Sequence, residues 1–135
     1  MSIVHGTVTR NAIGSSVISG TDNQTGGVEN NISELIPKNT TNKHISPATI
    51  VKAQLYSIFM LASGANLTVK TNHNGTPVPD DTFELLNGIP FVWTATYAAN
   101  APVPLTADVV DLYVTNGSST TASTLTIRTL SDATP

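Results

Sequence analysis

Residues 51–61, VKAQLYSIFML, decide the fold, because they can be read with either of two periods. Val51, Ala53, Leu55, Phe59 and Leu61 alternate with Lys52, Gln54 and Tyr56, which suits a strand with one buried face, while Ile58 and Met60 break the alternation and make its far end apolar on both sides. The rival is a helix: Ser46 and Pro47 would serve as N-cap and first residue, Gly64 would end it, and Val51, Leu55, Ile58 and Ala62 share helical spacing. Strand is preferred on β-branched and aromatic content and on the strand-like texture of the chain beyond Gly64.

Downstream the period is two. ANLTVKTN sets Leu67 and Val69 against Thr68 and Lys70, and TFELLNG places Phe83 and Leu85 on one face. Asn87-Gly88 then predicts a hairpin-type turn into IPFVWTAT. Val110, Leu112 and Val114 point one way in ADVVDLYVTN, and Leu125 and Ile127 point inward in STLTIRTL after a Gly/Ser loop. Short strands separated by turn signals, without long helices between them, predict an all-β fold: an antiparallel β-sandwich or jelly-roll-like barrel.

Upstream of residue 46 the texture is different. GSSVISGTDNQTGGVENN holds too few apolar side chains to bury a core of its own, so residues 1–45 are expected to form an extended N-terminal arm and residues 46–135 the β-sandwich domain. Within the arm a short strand is expected at GTVTRNA, and one helical turn at NISELIP with Ile32, Leu35 and Ile36 on one side and Pro37 ending it. An arm of this composition is expected to order against other subunits rather than against its own domain.

Composition narrows the function classes. Charged residues are 11% of the chain and the net charge is −3, with cations scattered from Arg10 to Arg128. That offers no basic stripe for nucleic acid. Cysteine is absent, which removes disulfides and Cys-based zinc sites. The N-terminus lacks the basic and apolar regions of a signal peptide, and the most apolar run, LYSIFMLA, is far short of the roughly 20 residues of a membrane-spanning helix. The Asn-x-Ser/Thr sequons at Asn23, Asn31, Asn39, Asn66, Asn74 and Asn116 are read as a by-product of composition.

No catalytic, metal or cofactor signature emerges. His5, His44 and His73 lack a second ligand at metal-binding spacing, and no Gly-x-Ser-x-Gly elbow or His–Ser pairing is visible. Asp80, Asp81 and Asp108 read as loop and turn residues solvated at the surface, with Asp111 nearby. Trp93, the only tryptophan, shares a strand face with Ile89 and Phe91 while Pro90 and Val92 take the other. Core filler, partner-facing anchor and sugar platform are all open to it, the first being preferred. If the strand is covered on both faces, the side bearing Pro90 and Val92 is closed by the arm or a neighbouring subunit. Pro90, Val92, Tyr97 and Tyr113 are therefore the candidate interface residues.

The segments AQLYSIFMLASGANLTVKTN, LNGIPFVW, PLTADVVDLYVTN and STLTIRTL, in that order, resemble the head decoration (cement) proteins of tailed bacteriophages over about residues 46–130. The resemblance implies a non-enzymatic, many-copy virion structural protein, made in the bacterial host cytoplasm. It would bind the major capsid protein on the assembled head, as a homotrimer, without cofactor, nucleic acid or membrane. The competing class is a tail-fibre or carbohydrate/receptor-binding β-sandwich module using Trp93 and the tyrosines as a stacking surface.

Overall fold

The computed structural model describes residues 3–13, 16–47, 49–73, 79–97 and 102–132, with the side chains of 7–13, 16–20 and 97 excepted. The protein is all-β, a sandwich of two four-stranded antiparallel sheets carrying a separate two-stranded ribbon. The ribbon pairs β1 (Ile3–Ile13) with β2 (Ser16–Gly26). The first sheet runs β3 (Val28–Ile36), β10 (Ser123–Ser131), β5 (Leu55–Ser63), β8 (Phe91–Thr94). The second runs β4 (Thr40–Ile45), β9 (Leu112–Asn116), β6 (Leu67–Thr71), β7 (Thr82–Leu85).

The decisive stretch is a strand, entered through a single 3-10 turn at Lys52–Gln54, but its faces differ from the expected ones. Ile58, Met60 and Ala62 face the core, opposite Thr129, Ile127 and Leu125 of β10. Phe59 and Leu61 lie on the outer face. A register shift between Leu130 and Ser131 lets Leu55 also turn inward, which is why strict alternation over 51–61 fails. The core closes with Leu67, Val69, Leu85, Leu112 and Val114 from the second sheet and Trp93 from β8, with Phe83 and Phe91 meeting edge to face at 5.3 Å.

Asn87-Gly88 joins two sheets where a hairpin-type turn was expected, and the Gly/Ser loop also passes between sheets. β7 and β8 belong to different sheets, as do β9 and β10, so Asn87-Gly88 and the 117–122 loop are crossovers between layers. Asn87 is pinned to the end of β5: its side-chain oxygen accepts from the Gly64 amide at 2.8 Å, and the Gly88 amide donates to the Ala62 carbonyl at 2.8 Å. Gly88 sits at φ +79°, a conformation that side chains disfavour.

The expected arm divides in two. Residues 28–45 belong to the sandwich: β3 and β4 each supply an edge strand, and the predicted helical turn over NISELIP is β3, with Ile36 fully buried. Ile32 and Ile36 alternate with the outward Leu35, a period of two that the helical reading of the same residues obscured. Among the described strands only β1 and β2 are separate from the two sheets.

One core position is imperfectly matched. Thr129 faces inward, fully buried, and its hydroxyl finds no hydrogen-bond partner among the described residues. Exchanging that hydroxyl for a methyl in Thr129→Val should raise stability by up to about 1 kcal/mol. Urea denaturation reads the change, and a midpoint below that of the parent chain would refute it.

Candidate functional site

The ribbon is rooted on the outer face of the first sheet. Ser57, Leu130 and Glu29 form one row across β5, β10 and β3, and Ser57 and Leu130 are buried although they face away from the core. The cover is the ribbon base. A Cβ on Gly26 would fall 2.6 Å from the Ser131 carbonyl oxygen and 3.0 Å from Leu130 Cγ, so only glycine allows this approach. From β1, the His5 ring spans the row, with Nδ1 3.3 Å from Ser57 Oγ and Nε2 3.6 Å from Glu29 Oε1.

A second attachment comes from β2. Asp22 accepts from the Thr94 hydroxyl at 2.5 Å, from the Thr96 hydroxyl at 2.8 Å and from Gln24 Nε2 at 3.0 Å, and Gln24 also donates to Thr96 at 2.6 Å. The Thr94 hydrogen bond above all, then that of Thr96, holds the Asp22 carboxyl below its ordinary value, while desolvation opposes them and Gln24 assists. A depressed folded pKa contributes stability that is complete above the unfolded value, near 3.8, and is lost as pH falls through the folded one. Hydrogen exchange of ribbon amides relative to sandwich amides should therefore accelerate below about pH 4 in the parent chain and much less in Asp22→Asn. Identical pH profiles for the two would remove Asp22 as the clasp.

His5, Ser57 and Glu29 have the residue types of a nucleophile–base–acid set, a His–Ser pairing that the sequence did not disclose because 52 positions separate them. The geometry favours a tether. Ser57 lies within β5, paired with Leu130 of β10 on one side and Thr94 of β8 on the other, so its side chain stands on the sheet's outer face beneath the ribbon base rather than at a strand-to-helix elbow.

Between the ribbon base and the sheet lies a cavity of about 420 Å³ lined by Val4, His5, Gly6, Ser57, Ile58, Phe59, Pro90, Val92 and Arg128. Pro90 and Val92, two of the candidate interface residues, line this cavity together with the ribbon base. Val92 remains 42% exposed. Trp93 points the other way, into the core.

Tyr113 is remote from this cavity, on the outer face of the second sheet. His44 stacks on its ring at 4.8 Å, and His73 meets it at 5.9 Å edge-on. His44 Nε2 is 2.6 Å from Asp111 Oδ1, so the stack is fixed by an acidic neighbour. The face of Tyr113 that would receive a sugar ring is shared with an imidazole. The side chain of Tyr97 lies outside the described residues; its backbone ends the 3-10 turn Ala95–Tyr97.

The aspartates read as solvated loop residues have structural partners. Asp81 accepts from the Thr106 amide at 3.0 Å and Asp108 from the Lys52 amide at 2.9 Å. Asn72, at φ 51°, gathers the loops: its Nδ2 donates to Asp80 and to the Asp108 carbonyl, both at 2.7 Å, and its Oδ1 accepts from the amides of Val110 and Asp111. Among the described residues no three His, Cys, Asp or Glu side chains group as metal ligands. Comparison with protein-family models, with curated proteins and with solved structures returned no match to this chain.

Proposed function

We propose that the chain is a structural protein of a tailed-bacteriophage virion: a non-enzymatic head decoration protein, made in the host cytoplasm, that binds the major capsid protein on the assembled head in many copies as a homotrimer. The reading rests first on the resemblance carried by the strand segments of residues 46–130. The observation that supports it is the ribbon. Two strands of 11 residues span about 35 Å and, among the described residues, pair only with each other. A lone two-stranded hairpin is marginal in water, so a ribbon rooted at one end of a stable sandwich calls for a surface on another molecule to complete it. In the competing glycan-binding reading an aromatic platform is needed, and here Trp93 is in the core and Tyr113 carries His44.

The register gives a clean test. Thr9 pairs with Gly20 and Ala12 with Val17, so deleting residues 9–12 and 17–20 together shortens the ribbon without disturbing His5, Asp22 or the sandwich. The shortened protein should keep its melting temperature and lose binding to undecorated heads. Quantitative mass spectrometry of the virion should count hundreds of copies of the parent chain. A few copies per particle, or undiminished head binding by the shortened ribbon, would overturn the reading.

A further inference from the structure

We infer that the cavity between the ribbon base and the first sheet is a recognition pocket for an extended protein segment bearing an apolar side chain followed, two positions later, by a carboxylate. The inference rests on the decoration reading only for the identity of that segment's owner, the capsid protein.

The outer row across β8, β5 and β10 runs Val92, Phe59, Arg128, two apolar side chains and then a guanidinium. Pro90 extends the apolar end, and the ribbon base at Val4, His5 and Gly6 borders the other side. Had the ribbon been a simple lid, these groups would be sealed as Ser57 and Leu130 are. Instead Val92 is left 42% exposed beside the slot. At its apolar end, beside Val92, Phe59 and Pro90, an open slot of this size holds a side chain of a partner more readily than it holds water.

Charge selects what enters. Arg128 lines the slot and forms no ion pair among the described residues; the pairs present are His5–Glu29, Lys43–Glu34 and His44–Asp111. Glu29 is occupied by His5 and by the Asn31 amide, leaving the guanidinium the uncompensated charge of the slot. Neighbouring strands lie about 4.8 Å apart, so the apolar pair Val92 and Phe59 centres roughly 7 Å from Arg128 along the row, and side chains i and i+2 of an extended chain are spaced by about the same distance. A carboxylate two residues after an apolar anchor would reach the guanidinium as a fork-to-fork pair.

The probe is the peptide acetyl-Thr-Val-Thr-Asp-Thr-amide, with otherwise identical peptides carrying Asn or Lys in place of Asp, titrated into the full chain and followed by amide and methyl chemical shifts. Saturable shifts should appear at Val4, Phe59, Val92 and Arg128. Affinity should fall by about tenfold from the Asp to the Lys peptide, the worth of one charge-assisted pair. In Arg128→Gln, whose side chain is on the exposed face, the Asp and Lys peptides should bind alike. Equal affinities for the parent chain, shifts located elsewhere, or no saturable binding would overturn the pocket. A chain that coats heads yet ignores the Asp peptide sinks this inference and leaves the decoration reading standing; one that binds the peptide yet never coats heads does the reverse.

Discussion

Leu112→Ala should destabilise the protein by about 2 to 5 kcal/mol, while Val110→Ala, two residues away, should cost less than about half a kcal/mol. The sequence alone makes the two equivalent, both inward-facing members of one alternating run. They are not equivalent in the fold: Leu112 is 3% exposed and Val110 53%. β9 begins at Leu112, and just before it the chain is drawn aside by Asn72, whose side chain accepts the amides of Val110 and Asp111. Val109 turns inward in place of Val110, held by paired hydrogen bonds between its backbone and that of Ile50. Leu112 meanwhile packs beside Thr71 and Ile45 in the register of the second sheet. Chemical denaturation of both variants checks the assignment; comparable losses would mean that the register at the start of β9 is wrong.

That contrast shows which parts of the fold were legible. Periodicity was reliable where a strand has one wet face and one dry face, as in LTVKT, where Leu67 and Val69 are buried and Thr68 and Lys70 are not. It failed where both faces are covered or where a long-range hydrogen bond bends the chain. Phe59 and Leu61 looked like core because β5 is a central strand whose outer side is itself partly roofed by the ribbon. The turn at Asn87-Gly88 was visible in the residues, but nothing local distinguishes a hairpin from a passage between layers. That choice is made by the docking of Asn87 against Gly64 and Asn66, more than 20 positions away. The N-terminal third was read as arm throughout because β3 and β4 are polar strands at sheet edges and bury only part of their length. Of the candidate site, Pro90 and Val92 were recoverable from the apolar run around Trp93. His5, Asp22 and Arg128 were not, since each acquires its role through the packing of the ribbon on the sheet.

The largest polar effect is expected at Asn116, where Asn116→Ala should cost about 2 to 4 kcal/mol. Its side chain has no exposure, and its three partners come from two places along the chain, the end of β3 and the 117–122 loop. Nδ2 donates to the Ile36 carbonyl at 3.1 Å, at the end of β3, and to the Thr121 carbonyl at 3.0 Å, while Oδ1 accepts from the Ser118 amide at 3.0 Å. The residue thus joins the end of the first sheet's edge strand to the crossover between β9 and β10, which no backbone ladder could do across two layers. Alanine would leave two carbonyls and an amide to find other partners, at sites where water has little access beside Ile36. Asn116→Asp separates hydrogen bonding from packing, because it keeps the shape and replaces two N–H donors by an acceptor aimed at two carbonyls. Repulsion there would raise the new carboxyl's pKa, so the variant should be least impaired below the unfolded value of about 3.9 and progressively worse as pH rises above it. Thermal denaturation of Asn116→Ala and Asn116→Asp between acid and neutral pH reads both effects. A pH-independent Asp variant as stable as the parent would show that the two carbonyls do not depend on Asn116, and the joint between the layers would have to be sought in the apolar contacts alone.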